Sequence, residues 1–432
     1  MKTFIITGVQ MRNKGSQAMF LSLSYSLKAI YGECEVIGFA NKYDVPEQYT
    51  FPLMPYDDYT RFILKYRLYN VPLLVPALTR LVSIVKKNDK WHGKIFEVRK
   101  ALRKADAIFD ASGYTLGSGW PKQSGRILLD TIRLAKRYKK KIILMPQSFG
   151  PFNWGEADDS AFVDEVKKEL TYPLKIYARE REGYDCLTSL GLNNVELSPD
   201  MVIRENLFPE TNQIFMEKGD STNEYPTRGS VGFIINKNVF RIGDPSAVFD
   251  LYAKILSKLI ESGEKVYILN TSTADEDLVE RVLGKVKDRQ KVHMISGEYS
   301  SPELIDIIGR FKYVVASRYH SVVFAYRSGV PAVILGWARK YADLAALFQQ
   351  QDYVFDIRSP NAAHILKGVE DMAANYESEA KRIKTGLEDV QASSVVLDAV
   401  NALDQQGSAT TVTVHHPIAS ASVNGQPAAM LM

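Results

Sequence analysis

Only two cysteines, Cys34 and Cys186, occur in the 432 residues. Two thiols cannot build a disulfide framework or a zinc cluster, and such sparing use of cysteine fits a reducing, cytoplasmic compartment. Long apolar runs are missing too. No stretch reaches the roughly 18 uninterrupted apolar residues of a membrane-spanning helix. The nearest, residues 62–87, is broken by Pro72, Pro76 and Arg80. Its Lys and Arg interleave with Leu, Ile and Val, which leaves two readings: a packed helix, or peripheral contact with an anionic inner membrane surface. Neither sign of charge dominates, since 54 Lys and Arg face 50 Asp and Glu for a net +4. That balance is too weak to argue for a nucleic-acid binder, and any basic chemistry must be local. HExxH, CxxC, GxGxxG and P-loop motifs are absent, and no cluster of carboxylates stands out. No metal and no dinucleotide cofactor is demanded.

What remains is the balance of an ordinary globular chain, with 46% apolar and 24% charged residues. At about 150 residues per domain the length predicts two or three domains. Strands are predicted over 4–8, 35–39, 107–110, 141–145 and 175–178, with helical periodicity between them. Residues 205–230 are polar, contain two prolines and lack periodicity, and so read as a linker. Strands resume over 231–235, 266–269, 292–295, 313–316 and 331–335, followed by helical periodicity from 361 to 403. Residues 405–432 carry few charges and read as a disordered tail, which removes His415 and His416 as site candidates. The pattern predicts an α/β fold of two Rossmann-like domains whose mainly parallel sheets face a cleft. The domains would be 1–204, with an insertion over about 43–90, and 231–404, including the terminal helices. Such sheets bind ligands beyond the carboxyl ends of their strands, so the residues after each strand are the candidates.

The sharpest candidate segment is Ala316-Ser-Arg-Tyr-His-Ser321, with Ser317 as the expected N-cap of a helix. Arg318 offers a planar fork for carboxylate or phosphate, and His320 can move a proton near neutral pH. A cation at a helix start opposes the macrodipole unless an anion answers it, which favours a binding role over a purely structural ion pair. Arg339 or Lys340 follows the next strand and would face the same anion. In the first half, one of Arg179 and Arg181 should point into the cleft. Gln147 and Ser148 stand at an expected turn, Asn13 and Gln17 in the first loop, and Ser112 and Gly113 in a glycine-rich loop. Cations at strand ends in both halves predict a small, multiply charged anion in the cleft.

These residues resemble the polysaccharide pyruvyl transferase family. The resemblance runs through Asn13-Lys-Gly15, Asp110-Ala-Ser-Gly113, Pro146-Gln-Ser-Phe-Gly-Pro151 and Ala178-Arg-Glu-Arg-Glu182 to Ser198-Pro-Asp200. It ends in Ser317-Arg-Tyr-His320, Ser328-Gly-Val-Pro331 and Gly336-Trp-Ala-Arg-Lys340. The resemblance implies a GT-B-like fold and a reaction. Phosphoenolpyruvate gives its pyruvyl group to two hydroxyls of a sugar in an exopolysaccharide, a cell-surface glycan or a precursor of one. A ketal forms and phosphate leaves. It implies donor binding by Arg179, Arg318, His320 and Lys340, with Ser317 beside them. The chemistry then needs an acid, for which His320 is the candidate, either toward the donor carbon or toward the leaving phosphate, with Arg318 as its catalytic partner. The partners would be phosphoenolpyruvate and a glycan acceptor, free or lipid-linked, with no further cofactor. Asp110 or Asp200 is either the base or a carboxylate that orients a loop. Tyr56, Tyr59, Tyr66, Tyr69, Tyr114 and Trp120 either stack on sugar rings or pack an insertion.

Two positions depart from the family pattern. Ser16 stands where many members have Asp, and Asn270-Thr271 where a His is frequent. Two other readings therefore stay open. A nucleotide-sugar glycosyltransferase of the same fold would need a ribose-binding carboxylate, for which Asp343 is the candidate. A silent, glycan-binding member would have lost a needed carboxylate at Ser16.

Overall fold

The computed structural model describes residues 1–41, 48–71, 73–86, 94–210, 213–216, 225–271 and 275–405. From residue 406 the expected tail lies outside the described residues, as do 42–47, 72 and 87–93 of the insertion and 211–212 and 217–224 of the linker.

The first strand, β1 (Lys2–Val9), is apolar on both faces because it runs through the centre of a covered parallel sheet, with Phe4, Ile5 and Ile6 all buried. It leads into α1 (Lys14–Tyr31), β2 (Cys34–Ala40) and β3 (Leu53–Pro55). Helices α2 (Asp58–Tyr66), α3 (Leu74–Lys86) and α4 (Ile95–Lys104) follow. Then come β4 (Ala107–Asp110), β5 (Tyr114–Leu116), α5 (Lys122–Arg137), β6 (Lys141–Phe149) and α6 (Asp159–Leu170). The half closes with β7 (Lys175–Ala178), α7 (Arg181–Ser189), β8 (Val195–Leu197) and α8 (Met201–Arg204).

The second half repeats the plan. It comprises β9 (Val231–Ile234), α9 (Val239–Ile242), α10 (Pro245–Glu261), β10 (Val266–Leu269) and α11 (Glu276–Leu283). Next are β11 (Val292–Ile295), α12 (Ser301–Ile308), β12 (Tyr313–Ala316) and α13 (Tyr319–Arg327). It ends with β13 (Ala332–Gly336), α14 (Arg339–Ala346), β14 (Val354–Asp356), α15 (Ala362–Gln391) and α16 (Val395–Gln405).

Strand order is β3-β2-β1-β4-β6-β7-β8 in one sheet, with β5 beside β6, and β11-β10-β9-β12-β13-β14 in the other. Every named strand pair is parallel. In each sheet the order reverses beside the first strand, between β1 and β4 and between β9 and β12. Those two switch points open the crevices where doubly wound sheets bind ligands.

Three features differ from the expectations. The four missed strands, β3, β5, β8 and β14, have three residues each, too short to carry a period. The Met145–Pro151 segment is not a turn at its start, because β6 continues through Pro146 to Phe149 before Gly150 turns at φ 63°. The last helix does not stay with the second sheet. Lys141 Nζ donates to the Leu403 carbonyl, Arg204 pairs with Asp398 at 3.0 Å, and Ser394 and the Val396 N–H bond to buried Glu205. Helix α16 thus covers α1 and β6 of the first half, and its Val395, Val396, Ala399, Val400 and Leu403 join one apolar cluster with Phe4, Phe20 and Phe109. That cluster also holds Ile234, Leu304 and Val323, so the two sheets share a core at their interface. No helix among the described residues is long and apolar enough to cross a membrane.

Candidate active site

The loops after β1, β4, β9 and β12 meet around three adjoining cavities of about 950, 610 and 370 Å³. Lys340 lines all three; His320 and Tyr319 line the first and third.

Arg318 caps α13 with an extended backbone (φ −100°, ψ 121°) and no side-chain capping bond. The expected cap, Ser317, lies behind it. Its hydroxyl bonds Tyr252, and its carbonyl accepts from Asn236 Nδ2 at 3.1 Å and Tyr341 Oη at 2.9 Å. Buried and saturated, Ser317 supports the loop and does not line the cavities. Arg318 is therefore free to turn its guanidinium along the wall of the 950 Å³ cavity, where it pairs with Asp275. Asp275 is 1% exposed and also accepts from the Lys237 N–H at 3.0 Å. Sequence reading missed this carboxylate, because an Asp just before a helix looks like an ordinary helix start.

His320 is the second residue of α13, against the other half of the molecule. A Cβ placed on Gly15 would lie 2.1 Å from His320 Nδ1, so only glycine leaves room for the ring. The Nε2 is 3.6 Å from Asp200 Oδ2 and makes no hydrogen bond. Burial, reinforced by Arg179, Lys340 and Arg318, pulls the imidazole down to about 4, against the partial opposition of Asp200. At neutral pH the ring is neutral. Asp200 itself is fully buried; it caps α8 through the Val202 N–H and receives Arg179 Nη1 at 2.9 Å. It is a carboxylate that orients two site residues, placed behind them.

Arg179 is held by Asp200, by the Ser148 hydroxyl at 2.7 Å, and by the face of Tyr319, 4.5 Å from its ring centroid. Its Nε has no hydrogen-bond partner, nor have Arg318 Nε and Thr271 Oγ1. These three residues line the first or third cavity, while other buried polar atoms without partners, such as Ser22 Oγ and Tyr326 Oη, lie elsewhere in the fold. Lys340 lies 5.2 Å from the Tyr319 centroid and 5.8 Å from that of Tyr114. No carboxylate among the described residues is within ion-pair distance of it. Burial and the charge of Arg179 pull its ammonium down to about 8.

The other candidates divide. Asn13 caps α1 through Gly15 and Ser16 and faces two of the cavities, and Ser112 and Gly113 line the smallest. Ser148 reaches the 610 Å³ cavity, where Tyr114, Trp120 and Trp337 supply aromatic faces. Gln17 is not a cleft group, because it ties the halves together by accepting from the Ser301 N–H at 2.6 Å and donating to the Met11 carbonyl. Gln147 is fully buried and donates to Asp110, which also holds Thr7 and the Ser112 N–H; both residues shape the loop. Tyr56, Tyr59, Tyr66 and Tyr69 lie away from the three cavities, so the insertion tyrosines do not serve them. Arg181 turns away too, and its N–H bonds Asp343 at 2.9 Å, which uses that carboxylate as an interdomain cap for α7. Ser16 closes the first loop, accepting from the Gln10 N–H at 3.0 Å and donating to the Gly8 carbonyl at 3.1 Å. One carboxylate cluster unseen in the sequence, Glu156, Asp158 and Asp159, surrounds the Lys122 ammonium.

The model of the family described as polysaccharide pyruvyl transferase matches residues 13–339. No curated protein matches the chain by sequence. Among solved structures, a trehalose-6-phosphate synthase superposes with a TM-score of 0.53 at 11% identity, over 94% of this chain and 99% of that one. The UDP-GlcNAc 2-epimerase from Neisseria meningitidis, bound to UDP-GlcNAc, gives 0.52 at 10%, over 93% and 100%. S. aureus MnaA with UDP gives 0.51 at 11%, over 94% and 95%. These likenesses are of fold, and the fold is GT-B.

Proposed function

The chain belongs to the polysaccharide pyruvyl transferase family, and from that premise we propose that it moves the pyruvyl group of phosphoenolpyruvate onto two hydroxyls of a glycan. The observation that carries this reading is the convergence of Arg179, Arg318, His320 and Lys340 on one cavity system, with no carboxylate among the described residues within ion-pair distance of Lys340. A donor with a carboxylate and a phosphate would answer Lys340 and set a further anion beside Arg318, whose partner in the protein is Asp275.

Proton transfer to the methylene carbon makes a methyl group and leaves positive charge at the adjacent carbon. One sugar hydroxyl adds there and releases its proton; the bond to phosphate oxygen breaks; the second hydroxyl adds. Two hydroxyl protons are released, one replacing that given to carbon and one leaving on hydrogen phosphate. His320 is neutral in the free protein, and a multiply charged anion beside it raises its proton affinity. Donor binding thus loads the acid that the reaction needs. Arg318, positioned by Asp275, and Lys340 hold the donor anions, with Arg179 behind them. Tyr114, Trp120 and Trp337 offer stacking faces for the acceptor in the 610 Å³ cavity. The donor already carries the activated group, so this scheme calls on no further cofactor.

The nucleotide-sugar alternative loses its carboxylate, since Asp343 caps α7. Phosphate release from phosphoenolpyruvate with a panel of glycans tests the proposal, alongside thermal shift with phosphoenolpyruvate and with UDP. Stabilisation by the first and acceptor-dependent phosphate release are expected. His320→Ala should lose at least about 100-fold in turnover. Stabilisation by UDP alone would overturn the reading.

A further inference from the structure

Fourteen large apolar side chains are strongly exposed among the described residues, and six of them, Phe62, Tyr66, Val71, Leu73, Leu81 and Phe96, fall within 62–96. They are not a misplaced core. Helices α2, α3 and α4 are anchored to the first sheet by other residues, Ile63, Leu64, Val75, Ile95 and Val98, all buried in one cluster. The exposed six point outward, Leu73 at 80% and Leu81 at 61%. Phe62 and Tyr66 stand one turn apart with ring centroids at 4.9 Å. None of the six lines the three cavities of the candidate site.

Charge in the same segment is strongly asymmetric. Residues 59–88 hold six Lys and Arg and not one Asp or Glu. Over 58–104 there are twelve Lys and Arg against three Asp and Glu, a net +9 in a chain whose total is +4. The rest of the chain is therefore net acidic in sequence, and the cation-rich segment is the one that exposes apolar chains. An anionic bilayer surface matches both properties: headgroups answer the cations, and single protruding apolar chains enter the acyl boundary. A protein partner of ordinary interface geometry would instead meet a groove or a broad apolar patch, whereas here only Phe62 and Tyr66 form a ring pair, and Val71, Leu73, Leu81 and Phe96 stand on α3, α4 and the loop between α2 and α3.

We propose that the α2–α4 face docks on anionic phospholipid, so that the chain lies on a bilayer without crossing it. The inference stands independently of the proposed reaction. Full-length protein would be sedimented with vesicles of phosphatidylcholine alone and with vesicles also containing phosphatidylglycerol. Binding is expected only to the second, and raising salt from about 0.1 to about 1 M should release it. The triple variant Tyr66→Ser, Leu73→Ser, Leu81→Ser should bind at least about tenfold more weakly, with unchanged circular dichroism and melting. Arg67→Glu should weaken binding without the apolar changes. Equal binding to neutral vesicles, no binding, or undiminished binding by the triple variant would overturn the proposal. So would lipid-independent self-association that the triple variant abolishes, because that result makes the face an interface between copies of this chain.

Discussion

Replacing Gly15 by Ala tests the contact that joins the two halves at the candidate site. The added methyl would sit 2.1, 2.4 and 2.5 Å from Nδ1, Cγ and Cε1 of His320. Ordinary carbon contacts are about 3.5–4.0 Å, so the ring must retreat by roughly 1.5 Å. Gly15 is a helical residue with φ outside the left-handed region, and alanine there gains up to about 1 kcal/mol in helix propensity. The fold should therefore survive, with melting little changed. A misplacement of about 1 Å costs on the order of 100-fold in a positioned reaction. Turnover of Gly15→Ala, followed as phosphate release from phosphoenolpyruvate, should drop by at least that factor. The double variant Gly15→Ala, His320→Ala should be no slower than His320→Ala alone, because the methyl acts only through the ring. Near-normal turnover of Gly15→Ala, or losses that multiply in the double variant, would refute this account of the contact.

Other substitutions separate stability from function. His320 is held near 4, below its usual 6.5, so the unfolded chain binds the extra proton first as pH drops. The contribution is fully present above about 6.5 and is lost as pH falls toward 4; urea midpoints at pH 7 and 5 should show this slope, and His320→Gln should flatten it. Arg318→Ala strands the buried Asp275 carboxylate and should lower stability by about 1–3 kcal/mol; adding Asp275→Asn should restore the melt but not phosphoenolpyruvate binding. Ser16→Asp removes the donor to the Gly8 carbonyl and should cost about 1 kcal/mol without raising activity. A variant that becomes active only with Asp at 16 would instead favour the silent reading.

Much of this was legible in the chain. Apolar runs buried on both faces, such as Ala107–Asp110 and Tyr313–Ala316, announce parallel strands, and their positions locate the switch points. Arg318, His320 and Lys340 were legible for a local reason: each follows a strand. Asp275 was not, since what distinguishes it is Arg318, 43 residues away in sequence. Gln17, Gln147 and Ser317 look from sequence like cleft groups because they are polar and follow strands. Burial decides otherwise, and each spends its hydrogen bonds on the scaffold.

The return of α16 to the first half has a consequence during synthesis. Its apolar face covers α1 and β6, yet it is made some 250 residues after β6 leaves the ribosome. Domains usually finish folding in order from the N-terminus. Here the first one emerges with an open flank, where α1 and β6 wait for residues 395–405. Completion of the N-terminal half thus waits until residues 395–405 have been made and have left the ribosome. A chain stalled or cut near residue 391 should populate a sticky, half-covered intermediate even though every residue of the first sheet is present.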